Sequence, residues 1–199
     1  CWATARWVVD EVMPHRDLHI TWQPISLLFK NEPAEGSDYH EAALKTHRML
    51  RVLEAVRAGG DTPEAGNHDM FKLYWEFVAR IHHDHDLDFE IKDALTTIGL
   101  DLAFADAADD ESWDPVIRTA MDDGLGLVGT DVGTPIIATD NSRNERAGYF
   151  GPVITKIPST DDSLKMWDAL MDMMDVDGFF ELKKTRADAP DPGARPDPV

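Results

Sequence analysis

Positive charge is scarce in this chain of 199 residues: 19 Lys and Arg stand against 38 Asp and Glu, a formal net charge of −19. Such a balance repels phosphate backbones and anionic headgroups over a Debye length, so neither nucleic acid nor a membrane surface is an expected partner. Cysteine is scarcer still. The single copy, Cys1, can form no internal disulfide and cannot build a four-cysteine zinc site. It gives no sign of an oxidising compartment, so a cytoplasmic location is expected. Apolar runs long enough to span a bilayer are missing, and so is any internal repeat. What is present is a folding composition: 43% hydrophobic and 9% aromatic residues exclude global disorder. The length suits one domain, or one domain carrying an inserted subdomain.

Periodicity organises the chain. Trp7, Val8 and Val12 recur at helical spacing over residues 3–13, and Pro14 ends the run. Leu18, Ile20 and Trp22 then alternate with His19, Thr21 and Gln23, the period of a strand, with Pro24 at its exit. A turn-rich loop over 31–38 leads into a helix whose Leu44, Leu50 and Leu53 share a face before Gly59-Gly60 stops it. Met70, Tyr74, Phe77, Val78 and Ile81 mark a second buried helix face; Leu87, Ile91, Ala94, Leu95 and Ile98 mark a third. A helix is expected from Trp113 to Asp123, with Pro115 in its first turn and Gly124 as its stop. Residues 136–139 and 147–153 predict an antiparallel hairpin around a turn at Asp140-Asn141-Ser142. Thr160-Asp161-Asp162 opens a last helix that turns Leu164, Trp167, Leu170, Met171 and Met174 inward. The Pro- and Asp-rich residues 187–199 read as a disordered tail.

The predicted architecture is therefore α/β, a small mixed sheet interrupted by a helical block. A first part spans 1–30, the helical insertion 31–110, and the second part 111–186. A strand upstream of residue 1 would complete the sheet. The chain opens on Cys with helical sequence at once, so upstream residues are expected in the intact protein, and the missing signal peptide carries little weight.

Several motifs have bland readings that outweigh their functional ones. Gly124, Gly126 and Gly129 spell G-x-G-x-x-G, but they follow a helix and precede an extended loop, the wrong context for a dinucleotide site. His82, His83 and His85 lie beside Asp84 and Asp86, yet histidines in the last turn of a helix are favoured by its dipole, so no metal site is assigned. The eight methionines fall on predicted inner faces and need no cofactor. Cys1 leaves two readings level: a small buried hydrophobe, or a thiol at a helix start, where the dipole favours the reactive thiolate.

Cys1-Trp2-Ala3-Thr4-Ala5-Arg6-Trp7-Val8 resembles the end of a C-P-W-C motif running into its helix, as in the DsbA-like branch of the thioredoxin superfamily. Residues 1–186 are similar to that branch, and most of all to the actinobacterial mycothiol-dependent nitroreductases. The likeness rests on Asn31-Glu32, Val132-Gly133-Thr134-Pro135, Tyr149-Phe150-Gly151-Pro152-Val153, Lys156-Ile157-Pro158 and Phe179-Phe180-Glu181-Leu182-Lys183. The resemblance implies a thioredoxin-like domain with an inserted all-helical subdomain, its first strand lying upstream of residue 1. It makes Cys1 the resolving member of a cysteine pair whose nucleophile precedes this chain. It puts a cis-proline at Pro135 and lets Thr134 offer its backbone to a thiol substrate, with Gly133, Trp2 and Asn31 as further substrate-binding residues. The activity implied is that of a thiol–disulfide oxidoreductase that draws electrons from a low-molecular-weight thiol, mycothiol, and reduces nitro compounds, with no tightly bound cofactor. Two alternatives stay open: a kappa-type glutathione transferase or 2-hydroxychromene-2-carboxylate isomerase, which would carry Ser or Ala at the upstream position, and a non-catalytic thiol-binding or interaction module. Oligomeric state is not legible.

Overall fold

The computed structural model describes residues 1–191 and 193–199. They form two compact units, Cys1–Ile20 with Asp123–Gly193, and Thr21–Asp122 with Ala194–Val199. The architecture is mixed α/β, and among the described residues the only sheet is a two-stranded antiparallel one.

In the first unit, α1 (Trp2–Arg6) runs on without a break into a π-helical turn, Trp7–Val12. The sequence explains the switch. Trp7 and Val12, both fully buried, are five residues apart, and i→i+5 bonding such as Met13 N–H to Val8 C=O at 2.9 Å aligns that spacing on one face. Both residues join Val8 and Trp167 in a core completed by Leu18, Ile20, Ile137, Ile154 and Ile157. Strands β1 (Ile136–Asp140) and β2 (Arg146–Phe150) pair with Ile136 opposite Phe150 and Asp140 opposite Arg146. The connecting turn is held by Asn141 Oδ1, which accepts from Arg143 N–H at 2.9 Å and Glu145 N–H at 3.0 Å. Helix α7 (Thr160–Met173) is capped by Ser159, whose hydroxyl accepts from Asp162 N–H. It buries Trp167 and Leu170.

The second unit is helical: α2 (Leu27–Asn31), α3 (Asp38–Gly59), α4 (Pro63–His82), α5 (Ile91–Ile98) and two 3₁₀ turns at Leu102–Asp109 and Glu111–Trp113. Ser37 and Thr62 cap α3 and α4. The two helices pack Val52, Leu53, Val56, Met70, Leu73 and Phe77 with Ala94 and Leu95 of α5 into one core. Glycine permits their tight junction: a Cβ on Gly66 would sit 2.0 Å from the Arg57 carbonyl oxygen, and one on Gly60 would sit 2.3 Å from Gly66 N. Ala194–Val199 belongs here too. Arg195 pairs with Asp84 at 2.9 Å, and the Asp197 carbonyl accepts from Trp75 Nε1 at 3.2 Å.

Three sequence expectations are corrected. Residues 18–22 alternate between half-buried and exposed but form no strand: among the described residues the only hydrogen-bonded ladder is β1–β2, and it does not include them. Leu87 precedes its helix, which starts at Ile91 after Glu90 in extended geometry. Gly124 does not stop α6 (Asp114–Val128); the helix runs through Gly124 and Gly126. The buried stripe Ile117–Met121 continues to Leu125, so packing outweighs the glycine penalty of about 1 kcal/mol each. The true stop is Gly129, at φ +92°, whose N–H donates to Leu125 C=O at 2.8 Å.

Candidate functional site

Cys1 is exposed and occupies the N-cap position of α1, where its carbonyl accepts from Ala5 N–H at 3.0 Å and its side chain makes no capping bond. The thiol is thus left available at the head of the helical run. Trp2, by contrast, is buried, with the Arg6 guanidinium 6.0 Å from its ring centroid. One turn in, Thr4 is buried and donates its hydroxyl to the Pro152 carbonyl at 2.8 Å.

Pro152 leads back to the second candidate segment. Its neighbour Gly151 donates its N–H to the Pro135 carbonyl at 2.8 Å, just beyond the end of the β1–β2 ladder. The first turn of α1 and the Gly133-Thr134-Pro135 loop are therefore both fastened to residues 151–152. Pro135 is buried, and the Thr134–Pro135 bond is cis, as is Gly151–Pro152. Among the described residues the Thr134 N–H and C=O make no hydrogen bond, and the space beside Gly133 is open: a Cβ there would meet nothing within 4 Å. A loop with spare backbone donors and acceptors and no charged side chain can hold an extended, peptide-like or disulfide-bearing group without competing for its charge.

Cys1, Trp2, Gly133, Thr134 and Pro135 all belong to the first unit. Asn31 belongs to the second, where it ends α2 and donates its side-chain amide to Tyr39 Oη. His82 sits in the last turn of α4, its pKa pushed down by burial, with His83 at the C-cap and His85 at φ +55°. Among the described residues no group of three or more His, Cys, Asp or Glu side chains could hold a metal ion, and no helix is long and apolar enough to cross a membrane.

A polar network in the second unit escaped the sequence reading. Ser26, the N-cap of α2, is fully buried; its hydroxyl accepts from Phe29 N–H at 3.2 Å and lies 2.9 Å from His47 Nδ1. His47 Nε2 lies 3.0 Å from Asp114 Oδ1, and Arg51 grips both Asp114 oxygens at 2.7 and 3.0 Å. Burial pushes the His47 pKa down despite the Asp114 bond that raises it. A neutral ring satisfies every partner, with Ser26 O–H donating to Nδ1 and Nε2–H donating to Asp114. For Asp114, burial alone would raise the carboxyl; the Arg51 and His47 hydrogen bonds outweigh it and hold the group below the usual aspartate range. Serine, histidine and aspartate in contact invite a hydrolase reading, but this serine is fully buried and fixed as a helix cap. The network positions α2, α3 and α6. The only sequence signal for it was His47 and Arg51 one turn apart on α3.

The family model described as Rv2466c-like, mycothiol-dependent nitroreductase Rv2466c, matches residues 1–184. Those residues include the α1 start, the Gly-Thr-Pro loop, the hairpin and residues 21–122 of the helical unit. The match covers nearly all of the chain, which therefore belongs to the Rv2466c-like family of mycothiol-dependent nitroreductases.

Proposed function

We propose that the protein is a thiol–disulfide oxidoreductase that uses mycothiol as reductant and nitro compounds as oxidant, with Cys1 as resolving thiol and the first unit as a thioredoxin-like domain. The observation that carries this reading is the exposed Cys1 thiol at the start of a helix whose first turn shares an anchor, residues 151–152, with the Pro135 loop. The family membership supports the choice of thiol and of oxidant.

The chemistry needs a second thiol, which the C-P-W-C pattern puts three positions ahead of Cys1. A protein dithiol reducing a nitro group to nitroso gives up two electrons and two protons; it becomes a disulfide and one water leaves. Attack by a mycothiol thiolate on that disulfide gives a mixed disulfide, and a second mycothiol releases it, leaving the dithiol and one mycothiol disulfide. In the reverse direction Cys1 displaces mycothiol from the partner cysteine. Thr134 lends its spare backbone groups to the thiol, and Trp2 packs beneath the helix start. In the intact protein, Cys1→Ser is expected to lower mycothiol-dependent nitro reduction at least about tenfold, because the exchange loses its second sulfur. Turnover equal to the parent's would overturn the reading.

A further inference from the structure

Arg118 is a cation of the helical unit held by an aromatic ring rather than by an acid. In a chain with twice as many acids as bases it is exposed, yet among the described residues it has no hydrogen bond and no ion pair. Its natural partner would be Asp114, one turn earlier on α6, but both Asp114 oxygens are committed to Arg51 and one also to His47. Arg118 instead lies over the Phe29 ring, with its guanidinium carbon 3.6 Å from the ring centroid.

The Phe29 ring is itself braced. The Phe29 ring is tilted at 56° against the His47 ring with centroids 4.3 Å apart, and His47 is locked by Ser26 and Asp114. Ser26 also holds the Phe29 backbone N–H. A guanidinium held against a braced ring loses less freedom on binding than one in open solvent, the preorganisation that favours bidentate carboxylate recognition.

The geometry points to a binding site for a small planar carboxylate, held by the Arg118 edge with its flat frame extending the Phe29 stack. A monocarboxylate is specified, because its two oxygens match the paired N–H groups of one guanidinium edge, and among the described residues no second cation is stacked beside Arg118 to offset a further negative charge. The site lies within the helical unit and needs no thiol chemistry, so its test is a binding measurement that stands or falls apart from reductase activity.

Benzoate serves as probe and neutral benzamide as its shape-matched control, with ligand-observed NMR titration on the full chain. Benzoate is expected to bind about tenfold more tightly than benzamide, the ratio for one charge-assisted pair. Arg118→Gln should abolish that preference, Arg118→Lys should keep part of it, and Phe29→Leu should weaken benzoate while leaving the fold intact by circular dichroism. Equal affinity for benzoate and benzamide, no benzoate binding by the parent, or unchanged binding by Arg118→Gln overturns the assignment. Displacement of benzoate by an equal concentration of inorganic phosphate would overturn its restriction to monocarboxylates.

Discussion

Replacing Asp114 by Ala tests whether the buried polar network secures the helical unit. Arg51, whose side chain is 9% exposed, would lose two charge-assisted bonds and keep only a 3.3 Å contact from Nη1 to the Ala108 carbonyl. His47, 1% exposed, would lose its only acceptor at Nε2. Stranding a buried cation costs about 3–5 kcal/mol, and the partial exposure of Asp114 puts the expected loss near the lower end, about 3 kcal/mol. For a chain of this size that is roughly 6–12 °C in melting temperature. The control is Arg48→Ala on the same helix: its pair with Asp109 is exposed on both sides, so about 0.5 kcal/mol or less is at stake. Urea denaturation followed by far-UV circular dichroism measures both. A loss below about 1 kcal/mol for Asp114→Ala, or one no larger than that of Arg48→Ala, would refute the idea that burial sets the value of these pairs. The pH dependence has the same origin. His47 has a folded pKa below its unfolded one, so its share of stability is present above about pH 6.5 and falls away as acid is added. Asp114, also lowered, keeps its contribution above about pH 4 and loses it below that, through its folded value. His47→Gln should flatten the upper limb of the stability curve and leave the lower one.

Glycines in α6 separate helix interior from helix stop. A Cβ on Gly126 would meet nothing within 4 Å, so Gly126→Ala should add about 0.5–1 kcal/mol, while Gly129→Ala, at φ +92°, should subtract about 1 kcal/mol or more; urea midpoints of opposite sign check both. Gly66→Ala drives a methyl against the Arg57 carbonyl and should cost about 2 kcal/mol or more, and a near-neutral urea midpoint would show that the α3–α4 junction is looser than described. Thr4→Val removes the donor to the Pro152 carbonyl and should cost about 1–2 kcal/mol. It should also slow mycothiol-dependent nitro reduction less than Cys1→Ser does, since it shifts the helix start without removing sulfur. Nitro-reduction rates of the two variants, compared in the intact protein, decide that order.

Much of the helical architecture was legible because burial imposes a period. Met70, Phe77, Ala94 and Leu95 fall inside as their spacing predicts. The same rule misled at residues 18–22, where alternation reports which side chains are covered but says nothing about a hydrogen-bonded neighbour. Gly124 misled because local propensity was set against a stripe that Leu125 carries one turn further. The π turn was hidden in plain spacing, five residues from Trp7 to Val12. In the candidate site, Cys1 and the Gly-Thr-Pro loop stood out by residue type and resemblance. Thr4 did not: its partner Pro152 is 148 residues away, and a threonine in a helix carries no mark of that bond. His47 and Asp114, 67 residues apart, were equally silent, since polar residues that satisfy one another in the interior look like surface in a sequence.

The most direct test of the thiol-exchange account is the intact mass of the protein carrying the cysteine that the proposed C-P-W-C motif requires three positions ahead of Cys1, after exposure to mycothiol disulfide. Cys1→Ser should retain one covalently held mycothiol, released by reductant, whereas the parent should expel it and end two hydrogens lighter than its reduced form. If both end in the same state, Cys1 does not resolve the mixed disulfide and the account fails.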